Sequence, residues 1–588
     1  MANKLRQDKR EAVLSTPLGQ DVLAVSRFDA GEGLSDLFEY RVEAVSSEAG
    51  LNFDDAIGRH CWVTFKGAGG NNRVFDGLLV EAQWLGLKDP VNHAYRLVLK
   101  PWLWMLSRTT DCRIFANRSV PDIVREIFDD NGFSDYRLSL HTSYPTLEYC
   151  VQYRETDLAF VSRLMEEYGI YYFFEHEAGK HTMMLVDAKA SHDSIPGYSS
   201  INYVPLTASE MINEDRIYRL TAQRRLRTGK VALTDYDYLK PNTNISAKAD
   251  GRAGYARADM EYFDYPGRYT ETADGEKLAR VRLEAEQAMD NRRYAAGDVV
   301  NIFPGGKFTL ARHPTDSENV EYLVVRATHS FVAQSYRSGP ASPEDEATYF
   351  GNYELLPSEY TFRAPLLTEK PVIHGPQTAK VVGKAGEEID VDKYGRITVQ
   401  FYWDRRRTPS RPVRIAQVWS GKSWGGIFIP RIEQEVVVVF LEGDPDQPLV
   451  VGTVYNGDHP VPYDLPANQT MGGIKSDTTK GSGGYNELVF EDKKGSEIWR
   501  GHAQKNLEFR ILNDETWKID RDSATDVGRD IKVDAGQTIT ITAGTKIELK
   551  VGTNNIVIDP KGITITGLVT QVNGSTLLEL KGGMITIN

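Results

Sequence analysis

Four glycines, Gly528, Gly536, Gly544 and Gly552, recur at a spacing of eight residues near the C-terminus, and this repeat constrains the fold more than any other feature of the chain. Three positions after the first three glycines stand Ile531, Ile539 and Ile547. Two positions further on come Val533, Ile541 and Leu549, with Lys532, Thr540 and Glu548 between. An apolar–polar–apolar triplet after a turn glycine is a short strand with one apolar face, because side chains alternate across a strand. Repetition at a fixed period predicts a stacked β-solenoid or β-helix. Eight residues are too few to encircle a core. Two aliphatics per octad do not offset the entropy of ordering it unless their face is covered. Three chains that each give one octad per layer close a triangular prism with every apolar pair inside. The expected trimer core is therefore Ile531, Val533, Ile539, Ile541, Ile547 and Leu549, with a two-sheet solenoid built by one chain as the alternative. The period loosens after Pro560, yet alternation continues in Ile563-Thr564-Ile565 and Ile585-Thr586-Ile587.

A chain of 588 residues is too long for one core, so three or four domains are expected. Residues 1–370 mix strands with three helices and read as an α+β region of two subdomains. Ser119-Val120-Pro121-Asp122 opens the first helix with a capping box, Ile123, Val124, Ile127 and Phe128 follow at helical spacing, and Gly132 is the expected stop. The second runs from about Thr156 to Gly169, and the third from about Asp274 to Met289. Residues 371–465 are expected to form a small closed β-barrel of the OB type, with strands at Lys380–Val382, Arg396–Tyr402, Val413–Val418, Ile427–Ile429, Glu435–Leu441 and Leu449–Val454. A connector over 466–500 leads to the repeat region, 501–588.

The barrel and its surroundings carry ordered motifs. Tyr153-Arg154-Glu155-Thr156-Asp157-Leu158 precedes Glu166-Glu167-Tyr168-Gly169-Ile170-Tyr171-Tyr172. Asp392-Lys393-Tyr394-Gly395-Arg396-Ile397 precedes Gln400-Phe401-Tyr402-Trp403-Asp404. Trp424-Gly425-Gly426-Ile427-Phe428-Ile429-Pro430-Arg431 runs on through Glu435-Val436-Val437-Val438 to Leu441-Glu442-Gly443-Asp444-Pro445-Asp446. With these motifs the chain resembles the VgrG family of type VI secretion spike proteins, which shares its architecture with the hub-and-spike proteins of contractile phage tails. The resemblance spans nearly the whole chain. It departs at Glu433, where the family usually has glycine.

The fold class so implied is mainly β: an α+β phage-tail-like hub, an OB-like barrel as neck, and a C-terminal intertwined triple-stranded β-helix as the needle of a homotrimer. The implied function is mechanical, a membrane-puncturing spike that caps a secreted tube and carries cargo into a target cell. Implied partners are two further copies of the chain, a hexameric tube protein beneath the hub, a PAAR-repeat tip protein, adaptor and effector proteins, and transiently the target membrane. The end segment Leu577, Leu578, Leu580, Met584, Ile585, Thr586, Ile587 and Asn588 is expected to form the apex that docks the tip protein, since a last layer of strands leaves unpaired backbone. The strand Met584–Ile587 closes the sequence, so no appended effector domain is expected.

The start, MANKLRQDKREAVL, is charged and lacks the apolar stretch of a signal peptide. Folding in the bacterial cytoplasm and export through the secretion machine without a cleaved signal are expected. Cys61, Cys112 and Cys150 are odd in number and widely spaced, which supports neither a disulfide framework nor a zinc knuckle. A net charge of −13 argues against a nucleic-acid partner.

Catalytic signals are weak. Gly421-Lys422-Ser423-Trp424-Gly425 has the GxSxG form of a hydrolase elbow, but that motif needs a strand–turn–helix context. His176 and His181 are spaced five apart rather than the four of a zinc-protease helix, and read as flanking a hairpin tip. Asp444 and Asp446 sit in a Gly-Asp-Pro-Asp turn rather than an apolar cleft. The run Arg405-Arg406-Arg407 reads as a solvated loop or a neck contact with another subunit. A spike-borne esterase or wall-cleaving hydrolase is the alternative; no enzyme activity, cofactor or metal is expected.

Overall fold

The computed structural model describes residues 5–66, 71–206, 215–251, 254–333 and 348–587. They fall into two compact units, Met1–Gln504 and Lys505–Asn588.

In the first unit, a twelve-stranded sheet runs Ala12–Ser15, His60–Phe65, Arg73–Leu87, His93–Lys100, Glu39–Ser46, Ala24–Gly33, Glu321–Val332, Thr348–Pro357, Arg292–Gly297 and Ile217–Gln223, with two short strands attached beside Glu321–Val332. Chain-distant segments thus lie side by side, with Ala24–Gly33 pairing antiparallel with Glu321–Val332. Alternation is regular in His60–Phe65 and interrupted in the longer strands, and Phe28, Tyr40, Val42, Val63, Phe75 and Leu97 are all buried in one core.

Helix α1 (Val120–Asp130) starts where the capping box predicts: Ser119 Oγ accepts from the Asp122 amide, and Pro121 occupies the first turn. It buries Ile123, Val124, Ile127 and Phe128 and ends two residues before Gly132. Helix α2 (Asp157–Tyr168) is capped by Thr156 and stopped by Gly169 at φ 74°. A Cβ on Gly169 would meet a Val281 methyl at 2.8 Å, so α3 (Thr272–Gln287) can approach only a glycine there.

The barrel region forms a four-stranded antiparallel sheet in the order Thr398–Phe401, Gln377–Val382, Glu435–Phe440 and Pro448–Val454. Val436, Val438, Val381, Val399 and Phe401 fill its core together with Ile114, Tyr149 and Val151 from the region before it. Two expected strands are not continuous. Val413–Val418 contributes only single bridges, Val413 to Ile397 and Ile415 to Val450, and Ile427–Ile429 lies in no strand. Pro412 and Pro430 remove ladder donors beside these segments. The Gln417 side chain occupies the Phe428 amide (2.9 Å) and carbonyl (3.2 Å) in place of a main-chain ladder. At the family's departure point, Glu433 sits at φ 75°, the left-handed region that favours glycine. A further meander, Met471–Lys475, Glu487–Glu491 and Ile498–His502, closes the unit.

In the second unit, the paired strands are Ile547–Val551, Asn554–Asp559 and Gly562–Thr566, an antiparallel meander. The strands expected after Gly528 and Gly536 are not formed within the single chain, and Ile585–Ile587 joins no ladder. A strand whose neighbours would all come from other chains has nothing of its own to pair with.

Candidate functional site

The largest unsatisfied feature of the chain is apolar surface. In the second unit Ile531 is 63% exposed and Ile541 69%, and Val533, Ile539 and Leu549 are similarly open, while Ile547 is half-buried. Of the expected apex residues, Leu577, Leu578, Leu580, Met584, Ile585, Thr586 and Ile587 are exposed, and Asn588 lies outside the described residues. Aliphatic side chains at such a density, alternating with Lys, Asp and Thr, are a surface that water does not favour. The first unit carries a comparable patch, with Val418 (84% exposed), Trp419, Trp424, Ile427 and Phe428 on the barrel. In the Met471–His502 meander, cross-strand register puts Ile474, Leu488, Phe490 and Trp499 on one face, all exposed.

The residues weighed for catalysis have structural surroundings. Ser423 sits at φ 61° in an exposed turn closed by Gly421 N–H to the Trp424 carbonyl (2.8 Å) and a bridge between Ser420 and Gly425. The element that follows among the described residues is the strand Glu435–Phe440, so the elbow's helix is missing. Asp444 and Asp446 each take one hydrogen-bond partner from Lys370 Nζ, at 2.6 Å to both. The second oxygen of Asp446 accepts the Val151 amide at 2.7 Å, and Arg268 stands 3.4 Å from Asp444. Burial works against the charge on Asp444, but Lys370 overrides it and holds the carboxyl below its usual range. Burial likewise disfavours the Lys370 ammonium, and Asp446 and Asp444 raise its pKa in spite of it. These carboxylates serve as ion-pair stitches between the barrel turn, the segment leading into the barrel and the strand Thr146–Thr156.

The arginine run is solvated, as the first of its two sequence readings has it, and it is also anchored within its own chain. Arg405 meets Asp111 at 2.7 Å and Arg406 meets Asp130 at 2.8 Å, so both bind the preceding region of their own chain. Two of the three charges thus find carboxylates, one on the strand Thr110–Ser119 and one at the end of α1, that sequence distance had hidden.

His176 and His181 flank a hairpin tip and face each other across Tyr171–Glu177 and Lys180–Val186, with both rings buried. Buried polar groups gather around them. Glu32 takes Arg73 at 2.9 Å and Tyr40 at 2.5 Å, with His176 at 3.4 Å and His329 at 3.6 Å. Burial would raise the Glu32 pKa, yet Arg73 and the two histidines hold it well below the usual carboxylate range. His60, Asp76 and His181 bring three ligand-type atoms within 4.8 Å of one another. Their hydrogen bonds decide against a cation. The Trp102 amide can only donate, and it reaches His181 Nε2 at 2.8 Å. The His181 proton therefore sits on Nδ1 and is donated to Asp76 Oδ1 at 2.7 Å. Both ring nitrogens are spent inside the fold. No sequence signal predicts this network, because its three groups, residues 32–76, the hairpin with His176 and His181, and His329, are separated by a hundred residues or more.

Three family models match the chain in order. The phage tail baseplate hub covers residues 31–335, the type VI secretion system/phage-baseplate injector OB domain covers 378–455, and the bacteriophage T4 gp5 C-terminal trimerisation domain covers 472–572. Hub, OB domain and trimerisation domain in that succession define the class of contractile-tail hub-and-spike proteins. Relatives narrow the class. The chain is similar to the type VI secretion system spike protein VgrG1b of Pseudomonas aeruginosa, 41% identical over 88% of this chain and 70% of the relative. It is also similar to VgrG1a of the same organism, 40% identical over 86% of this chain and 78% of the relative. The chain belongs to the VgrG family of type VI secretion spike proteins. Among solved structures, the E. coli c3393 protein, a type VI secretion component similar to phage T4 tail proteins gp27 and gp5, superposes with a TM-score of 0.55 at 19% identity, covering 75% of this chain and 99% of that one. The lidded Francisella PdpA–VgrG complex superposes at 0.52 with 9% identity, covering 85% and 81%. At these identities the two structures bear on fold alone.

Proposed function

We propose that three copies of this chain form a membrane-puncturing spike that works by rigidity and carries no catalytic centre. The observation that supports this is the recurrence of largely exposed apolar–polar–apolar triplets at Ile531–Val533, Ile539–Ile541, Ile547–Leu549 and Ile563–Ile565, on a stretch that lies within the trimerisation domain match. Ile531, Val533, Ile539, Ile541, Ile547 and Leu549 serve as the trimer core, with Lys532, Thr540 and Glu548 turned outward. The chain divides in function into a hub (1–370), an OB-like neck (371–465), a connector (466–500) and a needle (501–588). The hub caps a hexameric tube. The exposed apolar residues from Leu577 to Ile587 receive a PAAR-repeat tip protein, and adaptor-borne effectors ride on the assembly. No helix among the described residues is long and apolar enough to cross a membrane, which suits a protein exported folded through the secretion machine.

Light scattering of the purified chain tests the reading. A mass of three chains of 66.0 kDa each is expected, and a monomer at working concentration overturns it. For the tip, removing Met584–Asn588 is expected to abolish tip-protein binding while the three-chain mass is kept; binding that survives the removal refutes the docking assignment.

A further inference from the structure

The octads and the meander that follows them behave differently in one chain. From Gly528 to Gly544 there is no paired strand, whereas Ile547–Thr566 closes three strands on itself. Local turns account for the difference. Gly552, at φ 56°, turns the first hairpin. Asp559-Pro560-Lys561-Gly562 turns the second, with the Lys561 amide on Asp559 Oδ1 at 2.8 Å. Asn554 Oδ1 accepts the Leu568 amide at 3.2 Å and fixes the chain's exit.

Register then sorts the side chains. Ile547 pairs with Ile558 and Ile558 with Ile563; Leu549 pairs with Ile556 and Ile556 with Ile565. These six form two rows of three on one face of the sheet, which Val551 and Asn554 share at the first hairpin. Glu548, Lys550, Asn555, Val557, Thr564 and Thr566 fill the other, which has a single aliphatic. Strands about 4.8 Å apart and rising about 3.3 Å per residue make this a compact rectangle of aliphatics, about 10 Å across.

We infer that this meander is the nucleating and register-setting clamp of the trimer, its apolar face docking against the same face of two further copies of the chain. The inference rests on the three-chain reading above. Two structural facts select the occupant. The face continues directly from the octad pairs Ile531/Val533 and Ile539/Ile541, sharing Ile547 and Leu549 with them, and it lies wholly within the trimerisation domain match. A clamp is needed because octads are degenerate. Shifting one chain by eight residues places glycine on glycine and aliphatic on aliphatic, so the repeat alone does not fix alignment. The meander breaks the period, because its middle strand puts Ile556 and Ile558 on the apolar face while the octad positions there hold Asn555 and Val557. It also forms from contacts local in sequence, before any partner arrives, and so presents a finished surface at low entropic cost. The octads can order only afterwards, layer by layer.

The test uses the full chain, denatured and refolded, with assembly followed by light scattering. Ile556→Asn with Ile565→Asn breaks the meander face; Ile531→Asn with Ile541→Asn breaks two octad layers. The meander variant is expected to assemble at least tenfold more slowly than the parent. The octad variant is expected to assemble at close to the parent rate but to dissociate faster. Equal slowing in both, or greater slowing in the octad variant, overturns the inference. Hydrogen exchange on the parent trimer gives a second readout that needs no variant. Amides of Ile547–Thr566 should be the most protected of the second unit, and protection highest in the octads overturns it. A parent chain that never trimerises defeats the three-chain reading itself, which the mass measurement reveals before either variant is made.

Discussion

Acid should loosen the hub, and two buried histidines set the size of the effect. His181 and His192 are pushed down to about 4 by burial, against the pull of Asp76 on the first and of the Gly305 carbonyl on the second. Unfolded, each titrates near 6.5. Between these values the unfolded chain binds a proton that the folded hub refuses, so stability is complete above about pH 6.5 and falls with pH below it. At 1.36 kcal/mol per unit, each histidine removes about 2 kcal/mol on going from pH 7 to pH 5, and the pair about 4 kcal/mol. His329, also lowered by burial, adds in the same direction. His60 opposes it, because its hydrogen bond to Asp76 raises its pKa and its contribution grows as pH falls. Glu32 and Asp76, both lowered despite burial, enter only in stronger acid, below the range of an unfolded carboxylate. The assay is the denaturant midpoint of the hub transition, followed by tryptophan fluorescence at pH 7 and pH 5. Substituting His181→Gln keeps an acceptor for the Trp102 amide, removes one titration and should shrink the pH difference by about half. A midpoint that does not move between pH 7 and pH 5, or a variant with undiminished dependence, refutes the reasoning.

Other substitutions probe the rest of the molecule. Lys370→Met strands the buried Asp444 and the partly buried Asp446 without their cation and should cost about 3–5 kcal/mol in thermal unfolding, with Asp444→Asn recovering part of it; a loss under about 1 kcal/mol would show that the stitch is idle. Glu433→Gly relieves a left-handed backbone worth about 1–2 kcal/mol at the expense of an exposed ion pair with Lys380, so a net gain near 1 kcal/mol is expected, and a destabilised variant contradicts it. Gly169→Ala meets both φ 74° and Val281 and should destabilise the α2–α3 contact by about 2 kcal/mol or more, read as a lowered melting temperature. Ser423→Ala should leave stability and any ester hydrolysis by the preparation unchanged; an activity lost with this hydroxyl would revive the hydrolase reading.

Local chemistry was the legible part of the fold. Ser119, Thr156 and Gly169 act within a few residues of themselves, so the limits of α1 and α2 could be read nearly to the residue. Alternation in Glu435–Phe440 likewise survives folding unchanged. The expected strand at Ile427–Ile429 failed because Gln417, eleven residues away from Phe428, takes its backbone partners, and no pattern announces a side chain that replaces a ladder. The surface reading was legible in kind, since glycine spacing and aliphatic pairs state that a face must be covered. The antiparallel meander was not, because the octad period masks Gly552 as one more repeat glycine when it is in fact a hairpin turn. The hub's histidine network was invisible for the opposite reason. His60 and Asp76 meet across a local strand pair, but His181 joins them from about a hundred residues further on and His329 reaches Glu32 only through a sheet pairing that closes over nearly three hundred.

The stitch at Lys370 carries a mechanical meaning. One ammonium holds two carboxylates of the barrel turn, and one of those carboxylates also grips the Val151 amide of the strand behind it. A push on the barrel therefore has a path into the hub that runs through ionic contacts under 3 Å long, in parallel with the peptide chain. Short charged spacers in a largely buried seam resist compression and shear together, whereas a bare linker would buckle. Recoil would reach the hub undiminished, with little give at the joint.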